Sequence, residues 1–471
     1  MIKSAPRSAL LLFAAVVLAV PAAARPITAA ELARIDALVT STLADTGVPS
    51  ASIALVREGR MVLAKAYGTA SPGIPAARPD LLYQIASNSK QFTAMALLLL
   101  EDEGKLSLDD KVSKWVPGIS GGERIALRQL LSHTAGLQDY WPQDYAFAAM
   151  ASPTSPQGII DRWAKKPLDY APGTRWQYSN TGYVVAGLVV EKAAGEPLMA
   201  YLQRRIFVPL GMRPVNIDES NTAAFPAGYT RYALGPVRPA APPARGWLYA
   251  AGELSMTATD LAKWNIARLD RRLLPVDDWA AQEAPVHLAD GTTNGYGLGV
   301  QSGTSEGRRV INHGGASVGF LSQNTVYPDD RAAIVVLTNG EYSRAIETLT
   351  TGLAGIILRP VAAPAAIPVE PDRSAEARAL YDGLRLGRLD RAALTANANG
   401  YFTALALADY RSSLAALGPA TSFVAAGAPR LRGGFVARNY RIVAGGRTLR
   451  LTTFAEPGPV GLWEQYIVMP N

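Results

Sequence analysis

Three short stretches of the sequence hold residue types able to transfer an acyl group. In "YQIASNSKQF", Ser87 and Lys90 stand three residues apart. On a helix that spacing puts both side chains on one face, one turn from each other. A serine hydroxyl is a poor nucleophile until a neighbour takes its proton. A lysine takes it when burial and nearby cations lower its pKa towards neutrality. Taken alone, S-x-x-K has an ordinary alternative, a capping serine beside a lysine that snorkels to solvent. In "WQYSNTGY", Tyr178 offers a phenolic proton and Asn180 a two-faced amide. The phenol would serve as, or share, the general base and then protonate the leaving group. The alternative here is that Ser179 or Asn180 caps the following helix.

The third stretch is "NHGGASVGF". His313-Gly314-Gly315 reads as the end of a strand whose glycines let a substrate backbone lie against its edge. The N–H of Ala316 would join the N–H of Ser87 as an oxyanion hole. The same stretch spells G-x-S-x-G, the nucleophile elbow, around Ser317. An elbow needs a strand before the serine and a helix after it. Here "FLSQNTVY" follows, which is strand-like, so Ser317 is expected to be a turn residue beside the site.

These pieces must be held by a scaffold. The run Phe92 to Leu100 is apolar nearly all round, so its helix is buried on every face. Ser87 then lies at the helix N-terminus, where free N–H groups favour developing negative charge. Earlier, Thr28 and Glu31 suit a capping box and Gly47 a helix end. A hairpin follows around Glu58-Gly59. From Lys90 to about Asp290 the signals are mostly helical. Strand signals return at Tyr296, with turns at Glu306-Gly307 and Pro328-Asp329-Asp330, and a helix is expected from about Glu341 to Leu358. The economical arrangement is an α/β two-lobe fold: one antiparallel sheet flanked by the first and last helices, with a helical lobe beside it. Residues 359–373 carry four prolines and read as a linker. Residues 374–471 read as two helices followed by strands in "TSFVAAGA", "GFVARNYRIV", "RTLRLTTF" and "WEQYIVM", a small α+β C-terminal domain.

Composition narrows the function. The chain has 471 residues, 49% hydrophobic and 18% charged, which suits a globular enzyme and not a disordered chain. The net charge of +7 comes from scattered lysines and arginines with no basic run, so no nucleic-acid partner is implied. There is no cysteine, which removes thiol nucleophiles and disulfides. The histidines His133, His287 and His313 lack metal-ligand spacing, so neither a metal nor a cofactor is implied. His133 is expected to make a structural hydrogen bond, and His287 to lie on a surface loop. Lys3 and Arg7, an apolar run from Ala9 to Val20 and then Ala22-Ala23-Ala24 form a signal peptide over residues 1–24. The apolar run is too short to span a bilayer. The mature protein is expected to be exported, in the periplasm if the source is Gram-negative.

Ser-x-x-Lys, then Tyr-x-Asn about 90 residues on, then His-Gly-Gly on a late strand resembles the serine β-lactamase and penicillin-binding-protein superfamily. The tyrosine of the second motif is similar to the class C branch and its relatives: D-alanyl-D-alanine carboxypeptidases, D-aminopeptidases and family VIII esterases. "LRQLLSHTAGLQDY", "PGTRWQYSNTGYVVAGLVVE" and "AAGELSMTATDLAKW" are similar to recurring stretches of that branch. The resemblance implies a β-lactamase/transpeptidase-like domain over residues 25–358. It implies Ser87 as the acylated nucleophile and Lys90 and Tyr178 as the proton-handling pair. Asn180 would bind the substrate amide and Lys90. His313, with Gly314 and Gly315, would line the substrate in the place of a third-motif lysine. That place holds Lys-Thr-Gly in class C β-lactamases. A lysine is a fixed cation for a substrate carboxylate, whereas histidine is only partly charged near neutral pH. The departure favours a peptidase or esterase over a β-lactamase.

The expected activity is an acyl-enzyme hydrolase acting on an amide, peptide or ester carbonyl of a small molecule or peptide. A non-catalytic β-lactam or peptidoglycan sensor and a weak β-lactamase are the alternatives. The C-terminal domain resembles small cystatin-like or nuclear-transport-factor-like domains and is a candidate homodimer surface.

Overall fold

The computed structural model describes residues 24–143, 145–359, 373–427, 429–432, 434–457 and 461–470. The leader expected over residues 1–24 and the linker expected over 359–373 lie outside the described residues except for Ala24, Arg359 and Arg373. Helix α1 (Ala29–Thr46) starts with the expected capping box: Glu31 N–H donates to Thr28 Oγ1 at 3.1 Å, and Thr28 N–H donates back to the Glu31 carboxylate at 2.8 Å. Gly47 ends it at φ +71°, a conformation that costs glycine little. Strands β1 (Ser50–Arg57) and β2 (Arg60–Gly68) form the early hairpin. Both turn residues, Glu58 and Gly59, have positive φ, which matches the right-handed twist of a two-residue hairpin.

Helices α2 (Lys90–Asp102), α3 (Asn180–Ala194) and α4 (Ala258–Leu269) follow. Every residue of α2 from Lys90 to Leu100 is buried, as its all-round apolarity requires. Helix α3 packs against α2 and builds the helical lobe around it. The chain then returns as β3 (Gln301–Ser305), β4 (Arg308–Ser317), β5 (Phe320–Tyr327) and β6 (Ala332–Thr338). The six strands pair antiparallel in the order β2-β1-β6-β5-β4-β3. Helices α1 and α5 (Ala345–Ile357) cover one face through Ile35, Val39, Leu349 and Leu353, and α4 packs on β1 and β6. β1 is therefore buried along its whole length. Helix α5 begins four residues later than expected.

The C-terminal domain contains α6 (Ser374–Arg385), α7 (Ala404–Ala415) and β7 (Ser422–Ala425), β8 (Arg430–Arg432), β9 (Phe435–Ala444), β10 (Arg447–Ala455) and β11 (Trp463–Pro470). The sheet runs β7-β9-β10-β11, with β8 also paired to β9. The short strand β8 is absent from the sequence reading. Side chains alternate across this sheet. Tyr440, Ile442, Leu449, Leu451, Tyr466 and Val468 enter the domain's own core, while Asn439, Thr452, Phe454 and Ile467 line a cavity against the larger domain. A loop of the larger domain fixes this placement. Ala233 is buried within the C-terminal core, Leu234 N–H donates to Ser413 Oγ at 3.3 Å, and Arg238 pairs with Asp409. Tyr145 Oη donates to the Glu464 carbonyl at 2.8 Å. Among the described residues no helix is long and apolar enough to cross a membrane.

Candidate active site

Ser87 sits on a 3₁₀ turn, Ala86–Ser89, that leads directly into α2. The preceding Ala86 has φ +48°, a sparsely populated conformation that costs about 1–3 kcal/mol and concentrates at functional sites. Lys90 opens α2 and is fully buried. The snorkelling alternative is thereby excluded. Its Nζ lies 3.0 Å from Ser87 Oγ, 2.8 Å from Asn180 Oδ1 and 2.6 Å from the Ala251 carbonyl oxygen. The last two atoms only accept, so a neutral amine donates its two N–H groups to them. Its lone pair is then left for the Ser87 hydroxyl. Burial is the largest influence on Lys90 and holds its pKa well below the ordinary lysine range; Asp139 opposes that shift and Arg432 adds to it.

Tyr178 and Asn180 arrive just ahead of and at the first turn of α3. Ser179 is the cap, accepting from Gly182 N–H at 3.2 Å, so Asn180 is free for other work. Its amide orientation is fixed by Asp139, which accepts from Asn180 N–H at 3.0 Å and from Nδ2 at 3.1 Å. That leaves Oδ1 facing Lys90. Tyr178 hydrogen-bonds Ser87, and burial pushes its phenol above the ordinary tyrosine range, with the Ser87 bond and Arg432 opposing. Lys90 Nζ also lies 4.9 Å from the Tyr178 ring centroid. At neutral pH the phenol keeps its proton and the amine is the group able to lose one.

The third motif lies on the edge of β4. Turn residues Glu306 and Gly307 both have positive φ, so β3 and β4 form a two-residue hairpin in which Arg308 faces β3. Pairing continues without a bulge to Asn312, opposite Gln301. By alternation the Gly314 and Ala316 amides point to the same side, beyond the end of β3, where the edge is open. That edge packs against the Ser87 turn, so Ala316 N–H is positioned as the sequence suggests. The glycines have a different reason from the one expected. A Cβ on Gly315 would run into the Ile85 carbonyl oxygen, while one on Gly314 would meet only the end of the Gln323 side chain, at 3.2 Å. Gly315 is thus required for close packing of β4 on the nucleophile turn, not for substrate.

His313 Nε2 shares a hydrogen bond with Tyr296 Oη at 2.8 Å, and Nδ1 lies 2.5 Å from the Gly314 carbonyl oxygen. Burial and the nearby Lys90 push it down to about 4. It is neutral at pH 7 and does not replace a lysine's charge. Ser317 Oγ is buried and donates to Gln84 Oε1 at 2.9 Å, and β5 begins three residues later, so no elbow helix follows. His133 accepts from Ser179 N–H at 3.1 Å through Nδ1, the structural role expected of it. His287 lies on an exposed loop.

Two residues of this site were not singled out from the sequence as functional. Asp139 lies outside the three motifs, and it sets the Asn180 amide. Arg432, at the end of β8, lies 5.2 Å from the Tyr178 ring centroid and 3.6 Å from Asp139 Oδ2. The Gly433-Gly434 pair after "RLR" is a hairpin signal that would have revealed β8. Ser87, Tyr178, Asn180 and His313 open into a cavity of about 920 Å³ whose far wall is the C-terminal sheet.

The family model described as Beta-lactamase matches residues 35–355. The chain is 29% identical over 291 residues to penicillin-binding protein 4* of Bacillus subtilis, a match that covers 57% of this chain and 64% of that protein. It is 28% identical over 367 residues to a D-aminopeptidase of Gluconobacter oxydans, covering 76% and 66% respectively. It thus spans just under two thirds of the length of these two curated relatives. Among solved structures, a D-stereospecific amidohydrolase from a Streptomyces species superposes with a TM-score of 0.58 at 29% identity, over 67% of this chain and 96% of that one.

Proposed function

This chain belongs to the beta-lactamase family, and on that premise we propose that it is a serine hydrolase cleaving the amide bond of a D-amino-acid amide or short D-amino-acid peptide. The observation that carries the proposal is the Lys90 amine, buried and held between two carbonyl acceptors with its third position on Ser87 Oγ. Ser87 Oγ attacks the carbonyl carbon as its proton passes to Lys90. The tetrahedral oxyanion lies between the N–H groups of Ser87 and Ala316. The proton then passes through the Tyr178 phenol to the leaving nitrogen, the C–N bond breaks, and an acyl-enzyme ester remains. Water, deprotonated by the same pair, hydrolyses that ester and restores Ser87.

The D-aminopeptidase and D-stereospecific amidohydrolase among the relatives support the substrate class, and the neutral His313 supports an amidase over a β-lactamase. The test is to assay the purified protein with D- and L-phenylalanine amide, nitrocefin and p-nitrophenyl butyrate, with Ser87→Ala as control. Turnover of the D-amide above nitrocefin, lost in Ser87→Ala, is the expected result. Absence of any turnover and of any covalent adduct with a fluorescent penicillin would sink the proposal. Export is part of the same reading and rests on the basic, apolar and Ala-rich composition of residues 1–24. N-terminal sequencing of the mature protein tests it, with a start near Arg25 expected.

A further inference from the structure

We infer that His133, in the loop after the helix Leu127–Leu131, is the positioning residue that holds the Tyr178 phenol on Ser87. The inference rests on the hydrolase reading above and adds to it a residue buried behind the cavity lining. Tyr178 stands between two residues that are both tied to His133. On one side Gln177 N–H donates to the His133 carbonyl at 3.0 Å. On the other, Ser179 N–H donates to His133 Nδ1 at 3.1 Å. The Tyr170 hydroxyl donates to the same carbonyl at 3.1 Å and fixes it. Between these ties the imidazole lies against the phenol ring, with centroids 4.2 Å apart and planes tilted by 36°. One residue thus grips the second motif by its main chain, by a ring nitrogen and by a ring face.

Backbone and ring chemistry both fit this role. His133 has φ +61°, a left-handed conformation uncommon outside glycine but tolerated by histidine and asparagine. Because Nδ1 accepts from Ser179, a neutral imidazole carries its proton on Nε2. Nε2 is buried and has no hydrogen-bond partner among the described residues. A buried imidazole with one bare nitrogen is a costly way to fill space, so the bond to Ser179 N–H is what the ring supplies. Burial, joined by Lys90, His313 and Arg432, holds the His133 pKa well below the ordinary histidine range, which keeps Nδ1 an acceptor at neutral pH. Tyr296 and Tyr183 close on the ring with centroids at 4.8 and 5.3 Å, and Trp176 meets it edge-on at 5.8 Å. Such dense packing leaves the imidazole a single place. The phenol it supports must be placed closely, because an error of about 1 Å in a reacting group costs on the order of 10²-fold in rate.

The experiment uses the full chain with His133→Phe and His133→Asn. Phenylalanine keeps a ring face and removes the acceptor. Asparagine tolerates the left-handed backbone and puts Oδ1 about where Nδ1 stood. Each variant is assayed on D-phenylalanine amide and on a p-nitrophenyl ester, whose leaving group needs no proton. His133→Phe should lower kcat on the amide by about 10- to 100-fold with KM within about threefold, and should lower kcat on the ester by no more than about threefold. His133→Asn should recover most of that loss. Added to Tyr178→Phe, the His133→Phe change should cost nothing further on the amide, because it acts through the phenol. Equal losses on amide and ester, or a loss that adds to that of Tyr178→Phe, would overturn the inference. If His133→Phe does not fold, His133→Gly takes its place with the same expectations, since glycine accepts the left-handed φ and removes the acceptor. Crystal structures of the variants read the placement without turnover. The Tyr178 oxygen should leave Ser87 by about 1 Å or more in His133→Phe and stay on it in His133→Asn. If no substrate is turned over but the phenol moves in this way, the hydrolase proposal fails and the positioning role stands. A phenol that keeps its bond to Ser87 in His133→Phe would overturn that role.

Discussion

The two walls of the cavity are built by opposite means. The wall of the larger domain is dense with buried polar groups bonded to one another: Lys90 to Asn180 and Ala251, Asn180 to Asp139, His313 to Tyr296. The wall of the C-terminal domain is one open face of a sheet, with Arg432 set against the Tyr178 ring. Buried polar groups are costly unless satisfied, so the first wall has a single arrangement and holds a reaction geometry. The second is a sheet face on which Asn439 accepts from Thr452 Oγ1 at 3.0 Å and Arg450 reaches Glu347 at 3.1 Å. The first wall sets the reaction geometry, and the second closes the cavity in front of it.

The largest effect should come from the first wall. Lys90→Met is expected to lower kcat by about 10⁴-fold or more, and the double variant with Ser87→Ala should be no worse than Ser87→Ala alone, because the two act as one unit. Additive losses in steady-state kinetics would mean that Lys90 is not the base for Ser87. Tyr178→Phe should cost about 10²–10⁴-fold on an amide. A p-nitrophenyl ester, whose leaving group needs no proton, should lose far less, and equal losses on both would remove Tyr178 from leaving-group protonation.

Asp139→Asn sharpens the comparison by sign. Activity rises with pH as Lys90 loses its proton. Asp139 raises the Lys90 pKa and Arg432 lowers it. Asp139→Asn should therefore move the acid limb of kcat/KM to lower pH, Arg432→Gln should move it to higher pH, and Asp139→Asn should also cost about 10-fold or more in kcat through loosened Asn180. Limbs moving the same way would separate Arg432 from the charge set.

His313 is held neutral down to about pH 4, against an ordinary value of 6.5. The unfolded chain binds that proton first, so the stability His313 contributes is present above 6.5 and is lost as pH falls towards 4. The stability of His313→Gln relative to wild type should improve by about 3 kcal/mol between pH 7.5 and 4 in denaturant melts. A pH-independent difference would show that His313 takes its proton in the folded protein. The smallest effect is Ser317→Ala, which loses the bond to Gln84: about 1 kcal/mol of stability, with kcat/KM within about twofold.

The legibility of the sequence follows the same division. Ser87, Lys90, Tyr178 and Asn180 were readable because helix geometry converts spacing into proximity, and because α2, apolar on all sides, had to be buried. The hairpins at Glu58-Gly59 and Glu306-Gly307 were readable from turn chemistry. Asp139 acts only once α3 is docked beside it, and no local period marks that. Gly315 looked like a substrate-facing glycine, yet what it accommodates is the Ile85 carbonyl, a contact between segments more than two hundred residues apart. Arg432 sits on a three-residue strand, too short for a period-2 pattern, and reaches the site only through the docking of two domains.

The central claim is that Ser87, activated by a neutral Lys90, carries the acyl group. Rapid acid quench of the protein with a D-amino-acid ester or fluorescent penicillin, followed by peptide mass spectrometry, reads it directly. The adduct should lie on Ser87, form faster as pH rises through the depressed pKa of Lys90, and vanish in Ser87→Ala. An adduct on Ser317 or any other residue, or full turnover retained by Ser87→Ala, would contradict it.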